Sequence, residues 1–363
     1  VSAAADDLDQ IIDRLTTVGL VKWGEPVALS SATVDHLVST AAHQGLVCLL
    51  GAAMELGHLV LADDDTVRVR DAWGDVLARV VQLDALLLEV TDCLAAARVD
   101  TRVLKGAAVA TLDEFDPAWR SYNDVDVLVP PDQLLHAVDA LAALDLRPIT
   151  FPVSRRWAGR YAKSITLHHP GGAQVDLHRM LATGPFGTRL RAGCLFADGR
   201  PLAVGGRQLT ALSDAHRFLH ACYHAMLGGV QGPRHRRDIL LLAQTTSPES
   251  IVAQTADGWS LTLVHSALTW AYGTSAEPPH AWAEWLATHP LDPTEAALVA
   301  SSGGSFHESA RAQLRAARGP LAKLRYGAAL VWPSRAHLRD RGQTRRQHLL
   351  RLLRTGRRGR TVK

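Results

Sequence analysis

The chain contains no apolar run of the roughly 18–20 residues that a membrane-spanning helix needs, so no membrane class is expected. Its four cysteines (Cys48, Cys93, Cys194, Cys222) lie far apart and form no CxxC pair. That speaks against a disulfide or zinc framework and for free thiols in a reducing compartment, the cytoplasm. The N-terminal VSAAADDLDQIIDRL is acidic and lacks a basic n-region, so it is not expected to act as a secretory leader. There is no GxxxxGK[ST] phosphate loop and no GxSxG nucleophile elbow. GGVQGPRHRR has glycines but no strand before it, so a dinucleotide site is not expected there. Lysine is scarce, at 5 of 39 basic residues.

The rest of the composition is ordinary for a globular protein: 363 residues, 47% hydrophobic and 21% charged, enough for two domains or one large one. Net charge is +3 but unevenly spread. Residues 335–363 hold eleven Lys/Arg against one acid, Asp340, so they carry +10 and the remainder about −7. Such a tail on an acidic body suits RNA or another polyanion; the alternative is a solvated, partly disordered terminus.

Residues 1–100 read as helices. TVDHLVSTAAHQGLVCLLGAAMEL places Val34, Leu37, Val38, Ala41 and Ala42 at helical spacing, and DVLARVVQLDALLLEVTDCLAAARV continues it. From 101 to 205 the period changes. TRVLKG is a short strand ending in glycine, and DVDVLV alternates, with Asp124, Asp126 and Leu128 on one face. PPDQLLHAVDALAAL reads as a helix, and KSITLHH and QVDLHRM as two strands around a Pro-Gly-Gly turn. Together they predict a small α+β core with a mixed sheet. Residues 206–334 return to helix, with SDAHRFLHACYHAML opening on a Ser/Asp cap signal.

The chemistry centres on VLKGAAVATLDEFDPAWRSYNDVDVLV. Asp124 and Asp126 sit two apart on one strand, so their carboxylates share a side and repel, the more so when desolvated. A bound divalent cation or nearby cationic side chains would make this tolerable; otherwise one Asp faces solvent at the strand end. Oxygen donors on a rigid strand suit Mg²⁺, which takes one or two carboxylates plus substrate phosphates. Asp176 in QVDLHR is a third strand-borne acid, able to hold a metal or take a proton from an attacking hydroxyl. Lys105 and Gly106 end a strand and open a helix, where backbone amides favour phosphate. Arg120 offers a planar fork for phosphate.

VLKGAAVA, AWRSYNDVDVLVP and QVDLHR, in that order, resemble the uncharacterised nucleotidyltransferase family NTP_transf_5, within the DNA polymerase β-like nucleotidyltransferase superfamily. The resemblance implies an α+β nucleotidyltransferase core flanked by helical regions. It implies Asp124, Asp126 and Asp176 as catalytic metal ligands for Mg²⁺ or Mn²⁺, with NTP as co-substrate. Lys105 and Gly106 would line the nucleotide phosphates. The chain departs from the superfamily where a Gly-Ser turn is usual: Ala107 and Ala108 follow Gly106.

His216, His220 and His224 recur every four residues and share a helix face. They fit zinc binding, ordinary hydrogen-bonding histidines, or the lining of the active cleft, with His220 and His224 the better pair for the last. Asp238 is either a salt-bridge partner of the adjacent arginines or a substrate contact. His178 shares a face with Asp176 on a regular strand. The expected activity is metal-dependent transfer of a nucleotidyl or related phosphoryl group from an NTP to a small molecule, peptide or RNA. The alternative is a non-catalytic protein of the same fold that binds nucleic acid or a partner through its basic tail.

Overall fold

The computed structural model describes residues 2–148, 154–228, 231–255, 258–273, 276–300, 314, 319–331, 333, 335–340 and 342–350. The second half of the basic tail, 351–363, lies outside them.

The N-terminal helices are α1 (Ser2–Leu15), α2 (Ser31–Gln44), α3 (Val47–Glu55) and the long α4 (Asp63–Ala96). The single pattern read over residues 33–56 is two helices. Gly45 adopts φ 69°, where a side chain would be strained, and ends α2. The Leu46 amide then donates to the Ala41 carbonyl at 2.8 Å and the Gly45 amide to that of Ala42 at 3.3 Å. Leu15, Leu37, Leu46 and Leu50 form the centre of this layer. A short parallel pair, β1 (Val27–Ala28) and β2 (Leu59–Val60), ties its loops together. At 34 residues, α4 is about 51 Å long. Its first half packs in this layer through Val69, and its second half, Val80 to Leu94, covers the sheet.

The core opens with β3 (Arg102–Val103), α5 (Lys105–Leu112) and β4 (Val125–Leu128). It continues through α6 (Leu134–Ala140), β5 (Arg147–Pro148), α7 (Arg155–Tyr161) and the hairpin β6 (Ser164–His168)–β7 (Gln174–His178). After α8 (Gly184–Arg189) and α9 (Ala192–Ala197), the hairpin β8 (Gly199–Val204)–β9 (Arg207–Leu212) completes the sheet. The seven strands run in the order β5-β6-β7-β4-β3-β9-β8. The sheet is mixed: β4 is parallel to β7 and antiparallel to β3, and β3 is parallel to β9. It therefore runs to Leu212, past residue 205.

Alternation along β4 divides the two faces. Val125, Val127 and Val129 join the core under α4, with Val175 and Leu177 of β7 and Ile165 and Leu167 of β6. Leu128 joins a second core with Leu104, Leu212 and the C-terminal helices. Those helices are α10 (Asp214–Leu227), α11 (Pro233–Leu242), α12 (Pro248–Gln254), α13 (Leu261–Tyr272), α14 (His280–Thr288) and α15 (Pro293–Ala300). The helix Pro320–Val331 returns to the first core through the buried Tyr326.

Three buried ion pairs fasten the C-terminal helices to residues 113–120, the link between α5 and β4. Arg217 of α10 grips Asp113 through two hydrogen bonds, at 2.6 and 3.0 Å. Arg237 of α11 grips Glu114 at 2.6 and 3.2 Å. Asp238 accepts from both terminal nitrogens of Arg120, one contact at 2.9 Å. Buried guanidinium–carboxylate forks have fixed geometry, so they set the direction in which the chain enters β4.

Candidate active site

The carboxylates come together because β4 and β7 pair in parallel with Asp126 opposite Asp176 and Leu128 opposite His178. Register partners in a parallel pair point to the same face, so Asp126, Asp176 and His178 all face the C-terminal helices. Among the described residues they form the group whose ligand atoms lie within 4.8 Å of one another. Asp124, expected with them as a ligand, precedes β4 and is not in that group. His178, expected only as a cleft residue, takes its place there.

Each acid has one oxygen engaged. Asp126 Oδ1 accepts from Lys105 Nζ at 2.7 Å and from His178 Nε2 at 2.7 Å. Asp176 Oδ1 accepts from Thr166 Oγ1 at 2.5 Å, across the β6–β7 hairpin. The Oδ2 atoms of both accept no hydrogen bond from the described residues, and Asp124 makes none with them. Asp176 Oδ2 lies 4.0 Å from His178 Nε2, and two adjacent carboxylates oriented by such donors suit a divalent cation.

The electrostatics separate Asp124 from Asp126 of β4. Burial opposes charge on Asp126, but the His178 hydrogen bond and the Lys105 ammonium outweigh it and hold the carboxyl well below the usual range. Asp124 has no such donor. Burial and then the charge of Asp126 push it up to about 6. His178 is wholly buried, and desolvation lowers its pKa, so it is a neutral ring donating Nε2–H to Asp126. Its Nδ1 is buried without a partner among the described residues.

Lys105 has an unusual backbone, with φ 43° at the first residue of α5. Gly106 is buried, and a β-carbon there would lie 2.6 Å from Cβ and Cγ of Tyr122. Close packing on Tyr122 is therefore the reason this position is glycine. Tyr122 in turn donates to Asp84 of α4 at 2.5 Å. Ala107 and Ala108, where the wider superfamily carries a hydroxyl, are buried in the core beneath α5.

His216, His220 and His224 do share a face of α10. His220 is buried beside His178, with ring centroids 6.1 Å apart. Its pKa is held well below the ordinary value by burial and then by Lys105. His224 meets His235 edge-on at 4.5 Å, and burial with the Lys105 charge pushes it down to about 2. His216 instead bonds Ser213 Oγ through Nδ1 at 2.9 Å, which occupies the expected helix cap. A cavity of about 20 Å³ lies among Lys105, His220, His224, Arg217 and Asp238. One of about 10 Å³ lies beside Asp124, Asp126 and Tyr122. Each has room for about one water molecule.

Arg120 is bound to Asp238, not turned to the carboxylates. Asp238 therefore has a salt-bridge partner, but it is Arg120 and not the adjacent Arg236 or Arg237. Those two reach Asp13 and Glu114. Several site residues carry no signal in the one-dimensional pattern. Thr166, which holds Asp176, is within reach of it, because the register of the Pro-Gly-Gly hairpin places it opposite. The charges of Lys163 and Arg234 both act on the acidic cluster, Lys163 on all three aspartates and Arg234 on Asp124. Neither has a carboxylate within 4.0 Å among the described residues. Arg234 is brought in by α11, far away in sequence.

A mixed sheet carries adjacent acids on its central strands, with the Lys105 ammonium and the His178 and His220 rings beside them, and the family match makes the chain a transferase of the nucleotidyltransferase class. The chain belongs to the family of uncharacterised nucleotidyltransferases, NTP_transf_5, whose model matches residues 30–269. No curated protein matches it. The solution structure of the antibiotic-resistance factor ANT(2'')-Ia is similar at 13% identity, covering 52% of this chain and 96% of that one, with a TM-score of 0.37. The crystal structure of ANT(2'')-Ia with adenylyl-2''-tobramycin gives 11%, 52% and 97%, and 0.36. An antigenic nucleotidyltransferase-like protein from Paracoccidioides brasiliensis gives 13%, 52% and 85%, and 0.33.

Proposed function

We propose that the protein is a cytoplasmic, metal-dependent enzyme that transfers a nucleotidyl group, or a related phosphoryl group, from an NTP to an acceptor hydroxyl. The supporting observation is the in-register pairing of Asp126 with Asp176, which together with His178 brings ligand atoms within 4.8 Å of one another. The donor set, two carboxylates with a neutral imidazole alongside, fits Mg²⁺ or Mn²⁺. Asp126 and Asp176 would hold the ion, and Asp124 would join them from the start of β4. Bound there, the ion would polarise the reacting phosphate and stabilise charge on the attacking and leaving oxygens.

The chain's own residues do the rest. His178 fixes the orientation of Asp126. Thr166 fixes Asp176. Asp176, the third carboxylate, would assist deprotonation of the acceptor hydroxyl beside the ion. Lys105 and Lys163 supply positive charge for the triphosphate, and Arg120 acts by holding the strand in place. Catalysis of this kind is mainly positioning and charge stabilisation. The acceptor is a small molecule, a peptide or RNA.

A second reading has one observation in its favour. The Lys105 ammonium already neutralises Asp126, as it would in a non-catalytic protein that keeps the fold and binds through its tail. Pyrophosphate release from each of the four NTPs with Mg²⁺ or Mn²⁺ separates the two. The enzyme reading expects turnover in the folded wild type and its loss in both Asp124→Ala and Asp126→Ala. Turnover that survives both substitutions refutes it.

A further inference from the structure

On the face of the sheet opposite Asp126, α7 and the helix Pro320–Val331 enclose a cavity of about 430 Å³. Its walls include Trp157, Tyr161 and Ala328, and its rim carries Arg156, Arg160 and Arg325. Trp157 belongs to the core that covers Val125 and Val127, which puts the cavity behind the carboxylates and outside the transfer site. The walls are held by ring packing: Trp157 to Tyr161 at 6.0 Å, and Tyr161 edge-on to the buried Tyr326 at 4.8 Å.

The three guanidinium groups are exposed, and none has a carboxylate within 4.0 Å among the described residues. Their neighbour Arg155, by contrast, pairs with Asp139 at 2.6 Å. Arg156 and Arg160 are one helical turn apart, a like-charge spacing that weakens a helix by a few tenths of a kcal/mol. Arg325 adds a third charge from the second helix. A bound anion relieves this repulsion, and the planar guanidinium fork fits phosphate oxygens in pairs. The volume lies within the range of small-ligand sites, and aromatic walls favour a planar ring.

We propose that this cavity binds a nucleotide, free or as one unit of an RNA strand. The phosphate lies on Arg156, Arg160 and Arg325, and the base lies against Trp157 and Tyr161. The basic helix Arg335–Asp340 and the arginines after it continue the positive charge along the chain.

The test is fluorescence anisotropy of a labelled single-stranded eight-nucleotide RNA on the full chain. It compares Arg156→Gln/Arg160→Gln with the charge-matched control Arg70→Gln/Arg79→Gln on exposed α4 positions. The first double variant is expected to weaken binding about tenfold and to lower the salt slope by about 0.7, the contribution of one neutralised phosphate on a single strand. The control should change affinity less than about twofold. Arg325→Gln, on the other wall, should weaken binding in the same direction. Unlabelled AMP and inorganic phosphate are then added as competitors. Displacement by AMP alone identifies a free nucleotide as sufficient, and displacement by neither identifies a strand. Equal losses in the two double variants overturn the proposal, as does displacement by inorganic phosphate as effective as by AMP. Retained thermal unfolding midpoints exclude misfolding as the cause of a loss.

Discussion

Replacing Lys105 with methionine removes the cation that now sits on Asp126. The contact is a charge-assisted hydrogen bond of 2.7 Å between an ammonium and a carboxylate that is almost completely buried. Such bonds contribute about 1.5–3 kcal/mol. His178 donates to the same oxygen and stays in place, so the variant keeps one of two donors and loses an amount in that range in metal-free buffer. The same quantity now opposes any divalent ion, which must share or displace the ammonium. A thioether makes no such claim on the carboxylate, so Mn²⁺ should bind about 10–100-fold more tightly to Lys105→Met, at about 1.4 kcal/mol per tenfold. Isothermal titration of metal into nucleotide-free protein measures the affinity, and urea unfolding with and without metal measures the stability. Turnover of NTP should fall even though metal binds better, because the charge for the phosphates is gone. Metal affinity that is unchanged or weaker in the variant refutes the reasoning, since Lys105 would then not be the competing cation.

Two other predictions rest on named groups. The Asp124 carboxyl is pushed up to about 6, so the folded chain holds its proton while the unfolded chain releases it near 3.8. Stability is therefore lost as pH rises from about 4 to 6, and Asp124→Asn should be more stable than wild type by about 2–3 kcal/mol at pH 7.5 but equal to it below pH 3.5. Denaturant midpoints across that window check the sign, and a variant less stable at pH 7.5 contradicts it. Asp238→Ala strands the buried guanidinium of Arg120 and should cost about 3–5 kcal/mol, whereas Arg120→Met/Asp238→Leu should recover most of the loss. An Asp238→Ala chain that unfolds at the wild-type urea concentration would instead make Asp238 a free group.

Much of the site is written in local pattern. Strict alternation in DVDVLV puts Asp124 and Asp126 on one side, and the Pro-Gly-Gly turn announces the β6–β7 hairpin. Gly205-Gly206, both at positive φ (53° and 77°), marks the β8–β9 hairpin equally well. It is a two-residue turn of the kind that suits tight hairpins, but Pro201 in β8 and the polar Arg207-Gln208 opening β9 weaken the strand signal beside it. Arg120 shows the limit of such reading. An arginine four residues before an Asp-x-Asp strand fits a phosphate contact and a structural clamp equally well until its partner is known, and that partner is 118 residues away. His178 is similar: its face is predictable, but its place among the ligand atoms depends on the register between two strands that are not consecutive in sequence.

The sequence by itself determined the α+β class and the family, and singled out three acids as candidates, because side-chain periodicity and short motifs are properties of neighbouring residues. The tertiary structure decided which aspartate has its pKa lowered, which has it raised, and which cation answers which acid. Those outcomes depend on desolvation and on charge separations of a few ångströms. Such separations are set by β4–β7 register and by the docking of α10 and α11 on the sheet, contacts between segments that the chain order leaves far apart.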